Sequence, residues 1–99
     1  MSDYDDRADD LADDAGNRVP GGRARSVLEY LAEQLVDDPD EVEVDARTWR
    51  HRVSLSLSVA PNDMGRVIGR RGRTAQAIRT VVRAAGSRDG LDAYVDIVD

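Results

Sequence analysis

The feature that most limits how this chain can fold is a pair of glycines, Gly69 and Gly72, separated only by Arg70 and Arg71. Apolar residues precede the pair with the spacing of a helix face, and a second helical pattern follows at once. A glycine just after an apolar run can end a helix in a left-handed conformation without steric cost. These four residues therefore predict a tight connection between two helices, with two arginines at its tip.

The second helical pattern determines what surrounds this connection. From Arg73 to Ala85, apolar residues recur every three or four positions, which predicts a helix with one buried face. Amides at the start of a helix lack backbone partners and favour anions. With two guanidinium groups beside them, they make the connection a suitable place for a phosphodiester. A plain helix hairpin with solvated arginines is the alternative, and the glycine spacing alone leaves both open.

The distribution of charge favours an anionic partner more than the total does. The net charge of the 99 residues is −6, which by itself argues against nucleic acid. However, residues 1–22 carry a net charge of −5, whereas residues 62–86 carry six arginines against Asp63 alone, a net charge of +5. The negative charge is thus concentrated away from the two glycines.

Composition excludes several other classes of protein. Cysteine is absent and His51 is the single histidine, so a disulfide framework, a zinc finger and a histidine metal cluster are excluded. No nucleophile–base pair or carboxylate dyad can be assembled, which predicts that the chain is not an enzyme and needs no cofactor. No apolar run reaches about 18 residues, and the N-terminus is acidic, so we expect no membrane span, no signal peptide and a cytoplasmic location.

The rest of the chain predicts one domain after an acidic tail. We expect residues 1–23 to be disordered and residues 24–99 to fold. The tail is either a plain solubilising segment or a competitor for the arginines of the loop. A helix is predicted from about Arg25 to Val36, with Ser26 and Glu29 at capping-box spacing or with a start one turn earlier.

Alternating patterns predict three strands, at about 42–47, 53–59 and 91–97. Pro61-Asn62-Asp63 should open the short helix before the glycines, with Asn or Asp as its cap.

The predicted fold is α+β, in the order α-β-β-α-α-β, with all helices on one face of a three-stranded mixed sheet. The first two strands should pair antiparallel and the last should run parallel to the second. Trp49, at the predicted hairpin turn, is interpreted as a lid on the sheet edge in preference to a platform for stacking bases.

This order, with Gly69-Arg70-Arg71-Gly72 between the two helices, resembles the type II KH domain. More narrowly, residues 24–99 resemble the KhpA family of small bacterial single-KH-domain proteins. The matching stretches are Leu28-Glu29-Tyr30-Leu31, Leu35-Val36-Asp37-Asp38-Pro39-Asp40-Glu41-Val42, Gly69 to Thr74, and Asp96-Ile97-Val98-Asp99.

The resemblance implies an RNA-binding protein that holds about four unpaired nucleotides of single-stranded RNA and clamps their backbone with the glycine loop. It also implies an RNA chaperone that forms homodimers, or heterodimers with a larger KH-containing protein, and that affects cell-wall growth and cell shape. The expected RNA-binding residues are Arg66, Val67, Ile68, Gly69, Arg70, Arg71, Gly72, Arg73 and Arg79. Replacing Gly69 or Gly72 with aspartate is expected to weaken RNA binding while the fold is largely kept.

Two other interpretations stay open at this point. The domain could be an interaction module that dimerises, while a partner binds the RNA. It could also be a helix-turn-helix DNA binder, although the flanking strands argue against that motif, which normally lies among helices.

Overall fold

The structure is a computed structural model that describes residues 21–98. Three helices and three strands follow in the order α-β-β-α-α-β. They are α1 (Gly22–Leu35), β1 (Glu43–Trp49), β2 (Arg52–Ser58), α2 (Met64–Ile68), α3 (Arg73–Arg88) and β3 (Asp92–Ile97). Short 3-10 turns span Pro39–Glu41, Pro61–Asp63 and Arg70–Gly72. Residues 1–20 of the predicted acidic tail lie outside the described residues, so the predicted division of the chain at residue 24 stays a prediction.

The sheet has the predicted mixed topology, with β2 in the centre. β1 pairs with β2 antiparallel, and Val44 lies opposite Leu57. β3 pairs with β2 parallel, and Leu55 lies opposite Val95. Strand residues that face the helices are buried or half-buried except Thr48 at the hairpin end, while their neighbours face outward, as the period-two patterns predicted. The α+β fold with helices on one face is therefore confirmed.

The core lies between that face of the sheet and the three helices. Leu28 of α1, Val67 of α2 and Val82 of α3 are fully buried against Leu55 and Leu57 of β2. Burying one such side chain contributes about 1.5–3 kcal/mol. Of the helices within residues 21–98, none is long and apolar enough to cross a membrane.

The connection between α2 and α3 lies at one end of the sheet and the hairpin turn at the other. α2 follows the carboxyl end of β2, so the glycine loop is at that end. α3 then runs back toward the hairpin, where the Asp92 amide at the start of β3 donates a hydrogen bond to the His51 carbonyl, 2.6 Å away. The two ends are separated by the length of the strands, roughly 20 Å at 3.3 Å per residue.

Two predicted helix starts differ from the structure. α1 begins at Gly22, one turn before Arg25, and the Ser26 hydroxyl donates to the Gly22 carbonyl at 3.4 Å within the helix. The capping box was therefore wrong and the earlier start was correct. The side chain of Asp63 does not cap α2. Its carboxylate accepts hydrogen bonds from the amides of Asp37 and Asp38 instead, each 3.1 Å long.

Each outer strand of the sheet has an arginine bound to one of its backbone carbonyls. Arg25 of α1 donates from Nη2 to the Val44 carbonyl of β1 at 3.0 Å. Arg79 of α3 donates from Nε to the Val95 carbonyl of β3 at 3.2 Å. Each arginine comes from the helix that packs beside the strand it binds. Part of the backbone hydrogen-bonding capacity of each free sheet edge is therefore satisfied within the domain.

Candidate nucleic-acid interface

The backbone of the glycine loop (residues 69–72) has an unusual and well-defined shape. Gly69 has φ 75° and ψ 173°, a conformation that essentially only glycine adopts. Arg71 (φ 57°) and Gly72 (φ 74°) are both in the left-handed region. Amide-to-carbonyl hydrogen bonds hold the loop, from Gly69 to Gly65 at 2.8 Å and from Gly72 to Gly69 at 3.1 Å. The loop is thus a fixed turn, in which a non-glycine residue also takes a costly conformation.

The two glycines are needed for different reasons. A Cβ atom at Gly69 would lie 2.6 Å from Thr74 Cβ and 2.9 Å from the Thr74 amide nitrogen, closer than atoms can pack. A Cβ atom at Gly72 would meet nothing within 4 Å. The expectation that aspartate at Gly69 leaves the fold largely intact is therefore wrong, because it requires both a forbidden backbone and a clash. At Gly72 that expectation stands.

The arginines at the tip of the loop are free to bind. Arg70, Arg71 and Arg73 are exposed, and none of them forms an ion pair or a side-chain hydrogen bond with another residue of the described part of the chain. The first turn of α3 contains no acidic residue, and its N-cap, Gly72, supplies no side-chain hydrogen bond. Three unpaired guanidinium groups therefore lie together at the start of α3, an arrangement that favours a phosphate.

Arg66 differs from these three because acidic residues already engage it. Its Nη2 lies 2.9 Å from the Asp37 carboxylate, and its Nε lies 3.4 Å from the carboxylate of Asp63. Asp63 is only 2% exposed. These contacts of Arg66 with Asp37 and Asp63 connect the segment after α1 to the start of α2. The two carboxylates also offset much of the positive charge of Arg66.

The other predicted contact residues occupy distinct places. Val67 is fully buried, so it can shape the surface only from beneath, while Ile68 is half-buried beside the loop. Arg79 is half-buried and bound to β3 through the Val95 carbonyl. The structure thus brings together Gly69 to Arg73, and it places Arg66 and Arg79 on either side with partners of their own.

Thr74 supports the loop and Asp63 fixes the segment that leads into α2, and sequence reasoning missed both roles. Thr74 is the residue against which Gly69 packs. Asp63 was interpreted as a helix cap from its position before α2. Its real partners are about 25 residues away, so no local sequence pattern indicates them. Within residues 21–98, no group of three or more histidine, cysteine or acidic side chains is placed to hold a metal ion.

Trp49 is not a lid on the sheet edge. Its side chain is 71% exposed at the end of β1. The Arg50 guanidinium lies over the indole ring, 5.5 Å from its centroid. The interpretation as a lid is therefore wrong, and the ring covers no part of the core.

A three-stranded mixed sheet with two helices joined by G-x-x-G defines the class of protein as a type II KH domain. The model of the family "KhpA/KhpB, KH domain" matches residues 25–97. The chain belongs to this family, which is a family of KH proteins and not of enzymes, as the sequence predicted.

Several relatives carry the name "RNA-binding protein KhpA", and three of them show the extent of the similarity. The protein from Clostridium acetobutylicum is 47% identical over 74 residues, which cover 75% of this chain and 99% of that protein. The one from Halalkalibacterium halodurans is 44% identical over 75 residues, covering 76% and 99%. The one from Streptomyces coelicolor is 50% identical over 72 residues, covering 73% and 87%. No solved structure is significantly similar to the chain.

Proposed function

We propose that this protein binds single-stranded RNA and that the glycine loop clamps the RNA backbone. The observation that carries the proposal is the group of exposed, unpaired arginines at Arg70, Arg71 and Arg73 around a turn that only glycine permits at Gly69. The name of the relatives supports RNA as the ligand.

The clamp acts through charge and backbone access. Gly72 has open space where a side chain would stand, so a phosphodiester can approach the start of α3. Arg70 and Arg71 are exposed neighbours in a short turn, and their guanidinium groups can donate to phosphate oxygens in planar, paired geometry. Such contacts carry little base preference, since every nucleotide supplies the same phosphate.

The wider roles that the resemblance implies belong to the same proposal. They are an RNA chaperone activity in the cytoplasm, a homodimer or a heterodimer with a larger KH-containing protein, and a link to cell-wall growth and cell shape. The interaction-module alternative keeps the same fold but assigns RNA binding to the partner.

The test is the double substitution Arg70→Asp with Arg71→Asp. Both side chains are exposed, so the free energy of unfolding should change by less than about 0.5 kcal/mol per site. Affinity for fluorescent single-stranded RNA should fall steeply, because two donors become two like charges. The slope of log affinity against log salt should also flatten by about 1.4, at about 0.7 for each lost phosphate contact.

The matched control is Arg83→Asp with Arg88→Asp, two exposed arginines toward the other end of α3. It makes the same change in total charge about 15 Å or more from the loop, at 1.5 Å per helical residue. Thermal melts and sedimentation accompany both titrations. If both double variants lose affinity equally, total charge and not the loop governs binding. If the loop variant keeps the parental affinity and slope, the interaction-module alternative is favoured.

A further inference from the structure

The face of the sheet away from the helices is open and carries a cluster of arginines and aromatic rings at its hairpin end. We call this cluster the hairpin patch; its members are Arg47, Trp49, Arg50, Arg52 and Tyr94. Trp49 lies opposite Arg52, and Ser54 separates Arg47 from Tyr94 in the neighbouring row. Because Val53 and Ala93 are buried, the four members of the patch that lie in strands project to the opposite, solvent-facing side. Arg50 lies in the hairpin turn, where it is exposed.

Both aromatic rings of the patch are accessible and each is associated with an arginine. Trp49 is 71% exposed and Tyr94 is 50% exposed. The Arg50 guanidinium lies 5.5 Å from the indole centroid, and that of Arg52 lies 4.9 Å from the phenol ring centroid. Arg52 Nη2 also donates to the Tyr94 hydroxyl at 3.5 Å. The chain contains only four aromatic residues of the Phe, Trp and Tyr types, so two at one end of one face is a concentration.

The hairpin end of the open face has three arginines against Asp45 and Asp92, a net charge of +1, while Glu43 and Asp96 lie further along the same face. Arg47 pairs with Asp45 at 3.3 Å, and the nearby His51 lies 3.5 Å from Asp92. All four of these side chains are more than half exposed, so the pairs are weak and can exchange for another anion. Arg50 and Arg52 have no carboxylate partner within the described residues.

We propose that the hairpin patch is a second contact surface for single-stranded RNA, where unpaired bases stack on Trp49 and Tyr94 while the arginines bind phosphates. Flat rings beside guanidinium groups are the combination that holds single strands with little base preference. Aromatic residues on an open sheet face are also how another class of RNA-binding domain holds bases. The proposal rests on the proposed function, since it extends the path of the same RNA.

The position of the patch predicts a dependence on RNA length. The glycine loop and the hairpin turn lie at opposite ends of the sheet, roughly 20 Å apart along the strands. A strand of about four nucleotides fills the region of the loop and cannot also reach the patch. A strand of about 16 nucleotides, the upper end of single-domain site sizes, can contact both.

The single tryptophan of the sequence makes the first measurement direct. The full-length protein is titrated with short and long single-stranded RNA of the same composition, and tryptophan emission is followed. Stacking of a base on Trp49 should quench its emission with the long strand and leave it nearly unchanged with the short one. Parallel titrations with labelled RNA report binding independently of the tryptophan.

The second measurement uses Trp49→Ala, with Trp49→Phe as the conservative variant and Tyr30→Ala as the matched control. Tyr30 is 61% exposed on α1, away from the open face. The substitution Tyr30→Ala therefore removes an exposed aromatic ring from a different part of the molecule. Trp49→Ala should weaken binding of the long strand at least about fivefold, the lower end of the effect of removing one stacking ring. Trp49→Phe should recover most of that loss, and Tyr30→Ala should bind like the parent.

The outcomes separate this proposal from the proposed function. If long RNA binds with parental affinity to Trp49→Ala and leaves the emission of the parent unchanged, the patch is not a contact surface, although the loop can still be the clamp. If neither strand binds the parent protein, both proposals fail. If deleting residues 1–20 changes the emission of Trp49 and RNA does not, the patch receives the acidic segment instead, which also overturns the proposal.

Discussion

The glycine loop and the hairpin patch present arginines in two different ways at the two ends of one sheet. At the loop, an unusual backbone positions Arg70 and Arg71, and no side chain within residues 21–98 engages them. At the patch, a regular strand pair positions the arginines, and aromatic rings lie beside Arg50 and Arg52. The first arrangement suits the phosphate backbone of a nucleic acid, and the second suits its bases.

The two ends of the sheet therefore tolerate substitutions differently. A site built from backbone conformation depends on the residues that allow that conformation, so its sensitive positions are glycines. A site built from exposed side chains on a regular strand depends on the side chains alone, and their loss leaves the fold unaffected.

The largest expected effect is at Gly69. Gly69→Asp forces a glycine-only backbone and a clash with Thr74, so the fold itself should be destabilised by at least about 1–3 kcal/mol. The melting temperature should fall by roughly 5–20 °C for a domain of this size. Gly72→Asp meets no neighbour and should keep the fold, with a modest cost for the left-handed backbone.

RNA titration of the two glycine variants then separates binding from folding. Gly72→Asp places a carboxylate in the phosphate path and should weaken RNA binding by about 1–3 kcal/mol while the protein still melts cooperatively. Gly72→Ala is the control, since it requires the same left-handed backbone at residue 72 but adds no charge. Equal melting temperatures for Gly69→Asp and Gly72→Asp would show that the loop is not built from its backbone in the way described.

A smaller effect distinguishes the free arginines from the paired one. Arg70→Gln should weaken RNA binding by about 1.5 kcal/mol, roughly tenfold, because an unpaired donor to phosphate is lost. Arg66→Gln should weaken it by less than about twofold, because Asp37 and Asp63 already occupy that guanidinium. Salt-dependent titrations of both variants provide the check. If Arg66→Gln is the weaker binder, RNA displaces the carboxylates and the unpaired arginines hold no special position.

The smallest expected effect concerns the acidic N-terminal residues. Removing residues 1–20 preserves Gly21 and the start of α1, and it deletes seven aspartates and two arginines. If these aspartates compete for the arginines, RNA affinity should rise by up to about threefold at low salt and return to parental values at high salt, where exposed charges are screened. An increase in affinity for short RNA would indicate competition at the glycine loop. An increase for long RNA alone would indicate competition at the hairpin patch. No gain at low salt with either strand identifies a plain solubilising segment.

Sequence periodicity was sufficient for the architecture and for the position of the loop. The alternation of Val53, Leu55 and Leu57 with serines identified β2 with its buried face, and the glycine spacing identified the turn. These features are local: each depends on residues within a few positions of one another.

The features that the sequence did not predict depend on distant partners. Asp63 looks like a helix cap until the fold brings the amides of Asp37 and Asp38 to its carboxylate. Trp49 was wrongly interpreted as a lid. Its exposure depends on where the hairpin ends relative to the helices, and the sequence near Trp49 does not show this. In both cases the residue type was noticed, while its role required the tertiary structure.

The arginines on the two outer strands bear on how the protein can assemble. A partner that extends a sheet must hydrogen-bond the free carbonyls and amides of an edge strand. Here it would first have to displace Arg25 from Val44 on one edge or Arg79 from Val95 on the other. In the assembly proposed above, we therefore expect the partner to dock against the helices and not to lengthen the sheet. The same two contacts should also hinder edge-to-edge pairing of folded molecules at high concentration.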